Sequence, residues 1–139
     1  MIERVLVGMD DSEMADKALE YAFEAFPDAD ITVVHVVGGP SPWMGEAMSI
    51  ALEGDLEETK RRHAKQVLDR ARAIAADHDR EVETDIGMGN PAKAIVKRAE
   101  DYDQVVVGAH SGSLVNDLFV GNVAERVVRN SPAPVTVVR

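Results

Sequence analysis

Short apolar runs and helical apolar patterns alternate along the whole chain. Runs of valine, leucine and isoleucine are typical of strands, whereas apolar residues three or four positions apart are typical of helices. The runs predict strands at residues 4–9, 31–37, 81–86, 104–107 and 135–138. The helical patterns predict helices at residues 12–26, 55–78 and 121–130, with one more that begins at residue 90. Residues 38–54, rich in glycine and proline, are predicted to form a long loop.

Two of these helices carry start signals in the sequence. Asp11 or Ser12 is placed to cap the first helix, because a side-chain oxygen there can accept a free backbone N–H group. Asn90 followed by Pro91 is the usual opening of a helix, with asparagine as the cap and proline at the first helical position. Both starts directly follow a predicted strand or its turn, as expected for a repeating strand–helix unit.

The alternation predicts an α/β fold in one domain, residues 1–139, with a five-stranded parallel sheet and helices on both faces. Strands one, two and four are almost wholly apolar, as expected where both faces are covered. Strand three alternates apolar and polar residues, which suits an edge. We therefore expect the strand order 3-2-1-4-5.

The last strand is expected at the other edge, yet it is almost wholly apolar. An apolar terminal edge strand favours pairing with another chain. We therefore predict a homodimer through residues 134–139, from Pro134 to Arg139. The alternative is an edge covered by one of the chain's own helices.

Composition narrows the possible functions. The 139 residues are 45% hydrophobic, which suits one globular domain with a core, and the absence of cysteine excludes disulfides, thiolate metal sites and a cysteine nucleophile. The net charge of −10 argues against electrostatic binding of nucleic acid. No apolar run is long enough for a signal peptide or a membrane span, so a cytoplasmic protein is expected.

The strongest candidate site lies where strands one and four end. In such sheets, ligands bind beyond the carboxyl ends of the strands where the winding reverses. Small residues there and at a helix start allow a phosphate to approach backbone N–H groups. The candidate residues are Gly8, Met9, Asp10, Val107, Gly108, Ser111, Gly112, Ser113, Gly121, Asn122 and Val123.

Asp10 has two possible roles. It could bind a ribose hydroxyl, an adenine edge or a magnesium ion at the carboxyl end of strand one. It could equally cap and orient the turn before the first helix, where aspartate and serine are common. Both roles remain open at this point.

The chain resembles the universal stress protein family over its whole length. The resemblance rests on Val-Leu-Val-Gly-Met-Asp-Asp-Ser-Glu at the start and Thr-Val-Val-His-Val in strand two. It also rests on Gly-Asn-Pro-Ala before helix three, Gly-Asn-Val-Ala-Glu-Arg-Val in helix four and Pro-Val-Thr-Val-Val at the end. It implies a Rossmann-like domain of the adenine nucleotide alpha hydrolase type, usually dimeric, and a nucleotide-binding function in one branch of the family.

That branch carries a Gly-x-x-Gly, nine residues, Gly-Ser/Thr pattern for ATP. Gly108 and Gly121 match it, whereas Ser111 and Asn122 replace the second glycine and the hydroxyl residue. The resemblance further implies that Asp10 contacts the nucleoside and that the backbone of Val36 meets adenine. With ATP as the ligand, we expect Mg²⁺ as its companion.

Three functions follow as hypotheses: an adenine-nucleotide sensor in the stress response, a dimeric interaction protein that no longer binds nucleotide, and a slow nucleotide hydrolase. The third has no positioned base beyond Asp10. Of the histidines, His35 is predicted to be a hydrogen-bonded core residue, and His63 and His78 to be solvated helix positions; His110 adjoins the candidate site.

Overall fold

Five parallel strands and four helices are seen in the computed structural model, which describes residues 1–37, 53–109 and 122–139. The strands are β1 (Arg4–Gly8), β2 (Asp30–Val37), β3 (Glu83–Met88), β4 (Gln104–Gly108) and β5 (Val135–Val138). The helices are α1 (Glu13–Ala25), α2 (Glu53–Asp77), α3 (Pro91–Ala99) and α4 (Asn122–Asn130). The sheet order is β3-β2-β1-β4-β5, and every pairing is parallel, so the predicted fold and strand order are confirmed.

The element ends differ from the prediction by at most two residues. Helix α2 includes Glu53 and Gly54, which the sequence assigned to the loop, and β3 begins at Glu83 rather than at residue 81. The rest of the predicted loop, residues 38–52, lies outside the described residues. In the described part of the chain, no helix is long and apolar enough to cross a membrane.

Side-chain caps begin α1 and α3 as the sequence predicts. The Ser12 hydroxyl oxygen accepts a hydrogen bond from the Ala15 N–H group at 3.1 Å, which settles the choice between Asp11 and Ser12. The Asn90 side chain accepts from the Lys93 N–H group, also at 3.1 Å, and Pro91 is the first helical residue. Each cap directs the first turn of its helix toward the carboxyl ends of the strands.

The core lies in two layers, one on each face of the sheet. Alternate strand residues point to opposite faces, so Val5 and Val7 pack under α1 and α2 while Leu6 packs under α3 and α4. Full burial of each such side chain contributes about 1.5–3 kcal/mol before the cost of ordering the chain is subtracted. The two-sided burial is the physical reason for the apolar runs.

The two edge strands differ in how far they are covered. On β3, Ile86 and Met88 are exposed. On β5 every residue is half-buried, because Val138 packs in one core layer and Val135 and Val137 pack in the other. Within the described residues, no strand pairs with the outer edge of β5.

We predict that Gly108→Ala lowers the free energy of unfolding by about 1–3 kcal/mol, as overpacking does. A Cβ atom there would lie 2.8 Å from the Met14 carbonyl oxygen, which is backbone and cannot turn aside. The matched control is Gly8→Ala, whose Cβ would lie 2.8 Å from Cδ1 of Ile95, the movable end of a side chain. Urea unfolding measures both, and an equal cost for the two variants would contradict the prediction.

We also predict that Asp103→Asn destabilises the protein at pH 7 and that the deficit shrinks below pH 4. Asp103 Oδ2 accepts hydrogen bonds from the N–H groups of Glu3 and Arg4, and these bonds lower the pKa of the carboxyl from 3.8. Because the pKa is lowered, the stabilisation is complete above the unfolded pKa and is lost as the pH falls through the folded one.

Urea unfolding from pH 2.5 to 7 measures the deficit of Asp103→Asn. Asp101→Asn is the control, because Asp101 contacts Arg4 through its carbonyl oxygen rather than its carboxylate. A pH-independent deficit for Asp103→Asn would contradict this account.

Candidate functional site

A cleft opens beyond the carboxyl ends of β1 and β4, at the point where the sheet winding reverses. The walls that the described residues supply enclose about 180 Å³. Seven of the predicted site residues line it, namely Gly8, Met9, Asp10, Val36, Val107, Gly108 and Val123. This is where ligands bind in doubly wound parallel sheets.

The structure describes only one of the remaining predicted site residues. Ser111, Gly112, Ser113 and Gly121 lie outside the described residues, as does His110. Asn122 is described: it is the first residue of α4, it is exposed, and it is not among the residues that line the cleft. Its neighbour Val123 reaches the cleft because the next position on a helix points in a different direction.

Other lining residues were missed by sequence reasoning. They are Ala15, Val34, His35, Pro91, Ile95, Ala109 and Ala124. Most are apolar residues that look like ordinary core in the sequence. The cap at Asn90 was the one available signal, since it directs the start of α3, and hence Pro91, toward the carboxyl edge of the sheet.

Two glycines bring the cleft walls close together. Gly108 lets the first turn of α1 pack directly on the end of β4, because any side chain there would meet the backbone of Met14. Gly8 accommodates Ile95 of α3 in the same way. Glycine at the ends of both central strands therefore lets α1 and α3 pack closely against the strand ends that line the cleft.

Asp10 organises the turn between β1 and α1. Its Oδ1 atom accepts hydrogen bonds from the Ser12 N–H group, at 2.9 Å, and from the Ser12 hydroxyl. Ser12 in turn caps α1, so the orienting role of Asp10 is present in the structure. Within the described residues Oδ2 makes no hydrogen bond, and Asp10 lines the cleft, so this second oxygen is available to a ligand.

His35 is buried and hydrogen-bonded, as predicted, but it also lines the cleft. Its Nδ1 atom lies 3.0 Å from the Met9 carbonyl oxygen. Because a carbonyl only accepts, Nδ1 carries the hydrogen and donates it. His35 thereby ties β2 to the residue that follows β1.

The two histidines that the sequence placed in the second helix have neighbours that the sequence did not indicate. The His63 ring meets the His35 ring edge-on, with centroids 5.7 Å apart, and its Nε2 atom lies 3.8 Å from an Asp11 carboxylate oxygen. His78 was expected to be solvated, and this was wrong: it is half-buried and stacks on Phe23 at 5.1 Å. The stacking follows from the chain turning back over α1 after α2 ends.

Of the described residues that line the cleft, Asp10 is the one with a charged side chain. In the described part of the chain, no group of three or more histidine, aspartate or glutamate side chains is placed to hold a metal ion. The described walls therefore combine an apolar lining with one carboxylate.

Comparisons with known proteins give the same protein family over nearly the whole length of the chain. A family model described as the universal stress protein family matches residues 1–139. The universal stress protein MJ0577 of Methanocaldococcus jannaschii is 26% identical over 155 residues, which cover 100% of this chain and 96% of that protein. A universal stress protein of Thermus aquaticus is 31% identical over 143 residues, with both chains fully covered. The structure of UspA from Lactobacillus plantarum superposes with a TM-score of 0.82 at 26% identity, covering 99% of this chain and 98% of that one.

More distant structures with the same fold hold adenine nucleotides. A universal stress protein in complex with cAMP has a TM-score of 0.73 at 22% identity, covering 99% of this chain and 97% of that one. A family member from Arabidopsis thaliana with AMP bound has a TM-score of 0.70 at 19% identity, covering 98% and 90%. One from Archaeoglobus fulgidus in complex with dAMP has a TM-score of 0.66 at 22% identity, covering 100% and 98%. At these sequence identities, the similarity shows only that these proteins share the fold of this chain.

Proposed function

The chain belongs to the universal stress protein family, and we propose that it binds an adenine nucleotide in the cleft between β1 and β4. The carrying observation is the cleft itself, which lies at the carboxyl ends of the two central strands and whose described lining is mostly apolar with one carboxylate, Asp10. Family structures that hold AMP, cAMP and dAMP support the same class of ligand.

In this proposal the apolar wall formed by Val36, Val107 and Ile95 holds the adenine ring. Such a wall suits a flat apolar ring. Oδ2 of Asp10 accepts a hydrogen bond from a ribose hydroxyl while Oδ1 keeps its bonds to Ser12. The phosphate end then lies toward Gly108 and the start of α4, where N–H groups and the helix dipole favour negative charge.

The ligand class includes ATP, with Mg²⁺ as its companion on the phosphates. The physiological role is that of a cytoplasmic stress-response sensor whose state depends on the bound nucleotide. The competing function is a dimeric interaction protein whose cleft holds no nucleotide. Direct titration separates the two.

We predict saturable binding of AMP, and of ATP with Mg²⁺, in isothermal titration. Asp10→Asn should weaken AMP binding about tenfold or more, because a hydrogen bond to a charged group contributes about 1.5–3 kcal/mol. The asparagine oxygen can still accept from Ser12, so the turn is retained. Val123→Asp should weaken binding at least as much, because it adds a negative charge to the cleft wall in the first turn of α4, where the helix dipole tolerates it.

The matched control is Val128→Asp, the same change on the same helix at an exposed position outside the cleft lining. It should leave AMP binding unchanged. If wild-type protein gives no heat with either nucleotide and its melting temperature does not move, the nucleotide proposal fails and the interaction protein is favoured.

We also propose that the chain forms a homodimer through the outer edge of β5. The Pro134 and Val138 carbonyls accept hydrogen bonds from β4, at 2.9 Å from Val105 and 2.8 Å from Ala109. By the alternation of a strand, the backbone groups of Val135 and Val137 point away from β4 toward the open edge. An open edge of apolar residues supports pairing with the same strand of a second copy.

We predict that Val137→Pro converts the dimer to a monomer without unfolding it. Proline removes one outward N–H group and is tolerated on edge strands. Val137→Thr is the control, because it keeps that N–H group and nearly the same shape. Analytical ultracentrifugation measures the mass of each, and a monomeric wild type or a dimeric Val137→Pro would overturn the proposal.

A further inference from the structure

A second cavity is lined by residues of helices α3 and α4 and by Asn90, the cap of α3. It encloses about 490 Å³, within the range of about 300–1,000 Å³ that is usual for small-molecule sites. Its lining is Asn90, Ala92, Lys93, Val96, Lys97, Arg126 and Asn130. Ala92 and Val96 supply an apolar floor, and the charged groups are all cationic. We refer to these seven residues as the basic groove.

The cations of the groove have no partners in the described part of the chain. Lys93, Lys97 and Arg126 are exposed, and their charged side-chain groups make no ion pair or hydrogen bond with a described residue. The cations just beside them on the same helices are paired: Arg98 with Asp85 at 2.7 Å, and Arg129 with Glu125 at 3.0 Å. The other cations of α3 and α4 are thus paired with carboxylates, whereas those of the groove are not.

The three cations lie at positions that are electrostatically unfavourable in the protein alone. The protein carries a net charge of −10, yet three cations share one cavity, and none of the described residues that line it is acidic. Lys93 also lies in the first turn of α3, where the helix dipole disfavours a cation and where no acidic residue is present. Lys93 and Lys97 are four residues apart on the same helix face, a spacing at which like charges repel. Features that break local rules in this way tend to mark functional sites.

We propose that the basic groove binds a small multivalent anion, one that carries two or more phosphate or carboxylate groups. The cations line both helices, so they meet an anion from two sides, and the amide groups of Asn90 and Asn130 add neutral polar contacts at the rim. A small ligand suits the site better than an acidic protein, because the net negative charge of the chain repels a large acidic surface. The described linings of the groove and of the nucleotide cleft share no residue.

The test is isothermal titration of inorganic tripolyphosphate, and separately of citrate, into the full chain. Wild-type protein should bind one tripolyphosphate or one citrate per chain, and the affinity should fall as salt is raised. Binding of both anions assigns the site to charge alone, whereas binding of one identifies phosphate or carboxylate as the recognised group. No binding of either anion at millimolar concentration would overturn the proposal.

Variants locate the binding. Lys93→Gln/Lys97→Gln should weaken it at least tenfold, and Arg126→Gln should weaken it as well; exposed glutamine is as good a helix former as lysine, so the fold is retained. The control Lys17→Gln/Lys65→Gln removes two exposed lysines from the α1 and α2 layer and should change the affinity less than twofold. Equal losses in the two double variants would overturn the proposal.

Val123→Asp, which alters the nucleotide cleft, should leave tripolyphosphate binding intact. Loss of tripolyphosphate binding in this variant, with retention in Lys93→Gln/Lys97→Gln, would assign the anion to the cleft and overturn the groove. Loss of AMP binding with tripolyphosphate binding retained would concern only the nucleotide proposal. Failure of the nucleotide proposal and failure of the groove proposal are therefore distinguishable.

Discussion

The close packing of α1 onto the end of β4 is the contact on which the site depends. It is possible only because Gly108 has no side chain, so that the backbone of Met14 lies against it. The same first turn is held from the other side by Asp10, which binds Ser12, the cap of α1. The cleft is therefore shaped by a helix start that is anchored at the ends of both central strands.

The charge of individual surfaces of this protein does not follow the net charge of the whole chain. The chain is strongly acidic, and several of its arginines are held by carboxylates or carbonyl oxygens. Burial raises the pKa of Asp16 even though Arg70 lies against it, so that pair joins α1 to α2 at a cost in desolvation. Against this background, the described lining of the cleft is apolar with one carboxylate, whereas the described lining of the basic groove carries three cations.

Much of the fold could be predicted because it is encoded in short stretches of chain. Two-sided burial produces continuous apolar strands, and the partly exposed β3 alternates, so the sheet and its edge followed from periodicity. The candidate site was predicted in part for the same reason: Gly8, Asp10 and Gly108 directly follow or end strands whose carboxyl ends must meet. The contribution of residues 111–113 and 121 rests on a pattern resemblance and lies outside the described residues.

The sequence by itself determined the elements, their caps at Ser12 and Asn90, and the edge of the sheet at which a ligand would bind, because each depends on residues only a few positions apart. Tertiary structure alone decided that His78 stacks on Phe23 and that Ile95 lines the cleft. It also decided that the exposed cations of two helices share one groove. These contacts join residues far apart in the chain, and they depend on how each helix is rotated and how closely it packs, which local patterns do not specify.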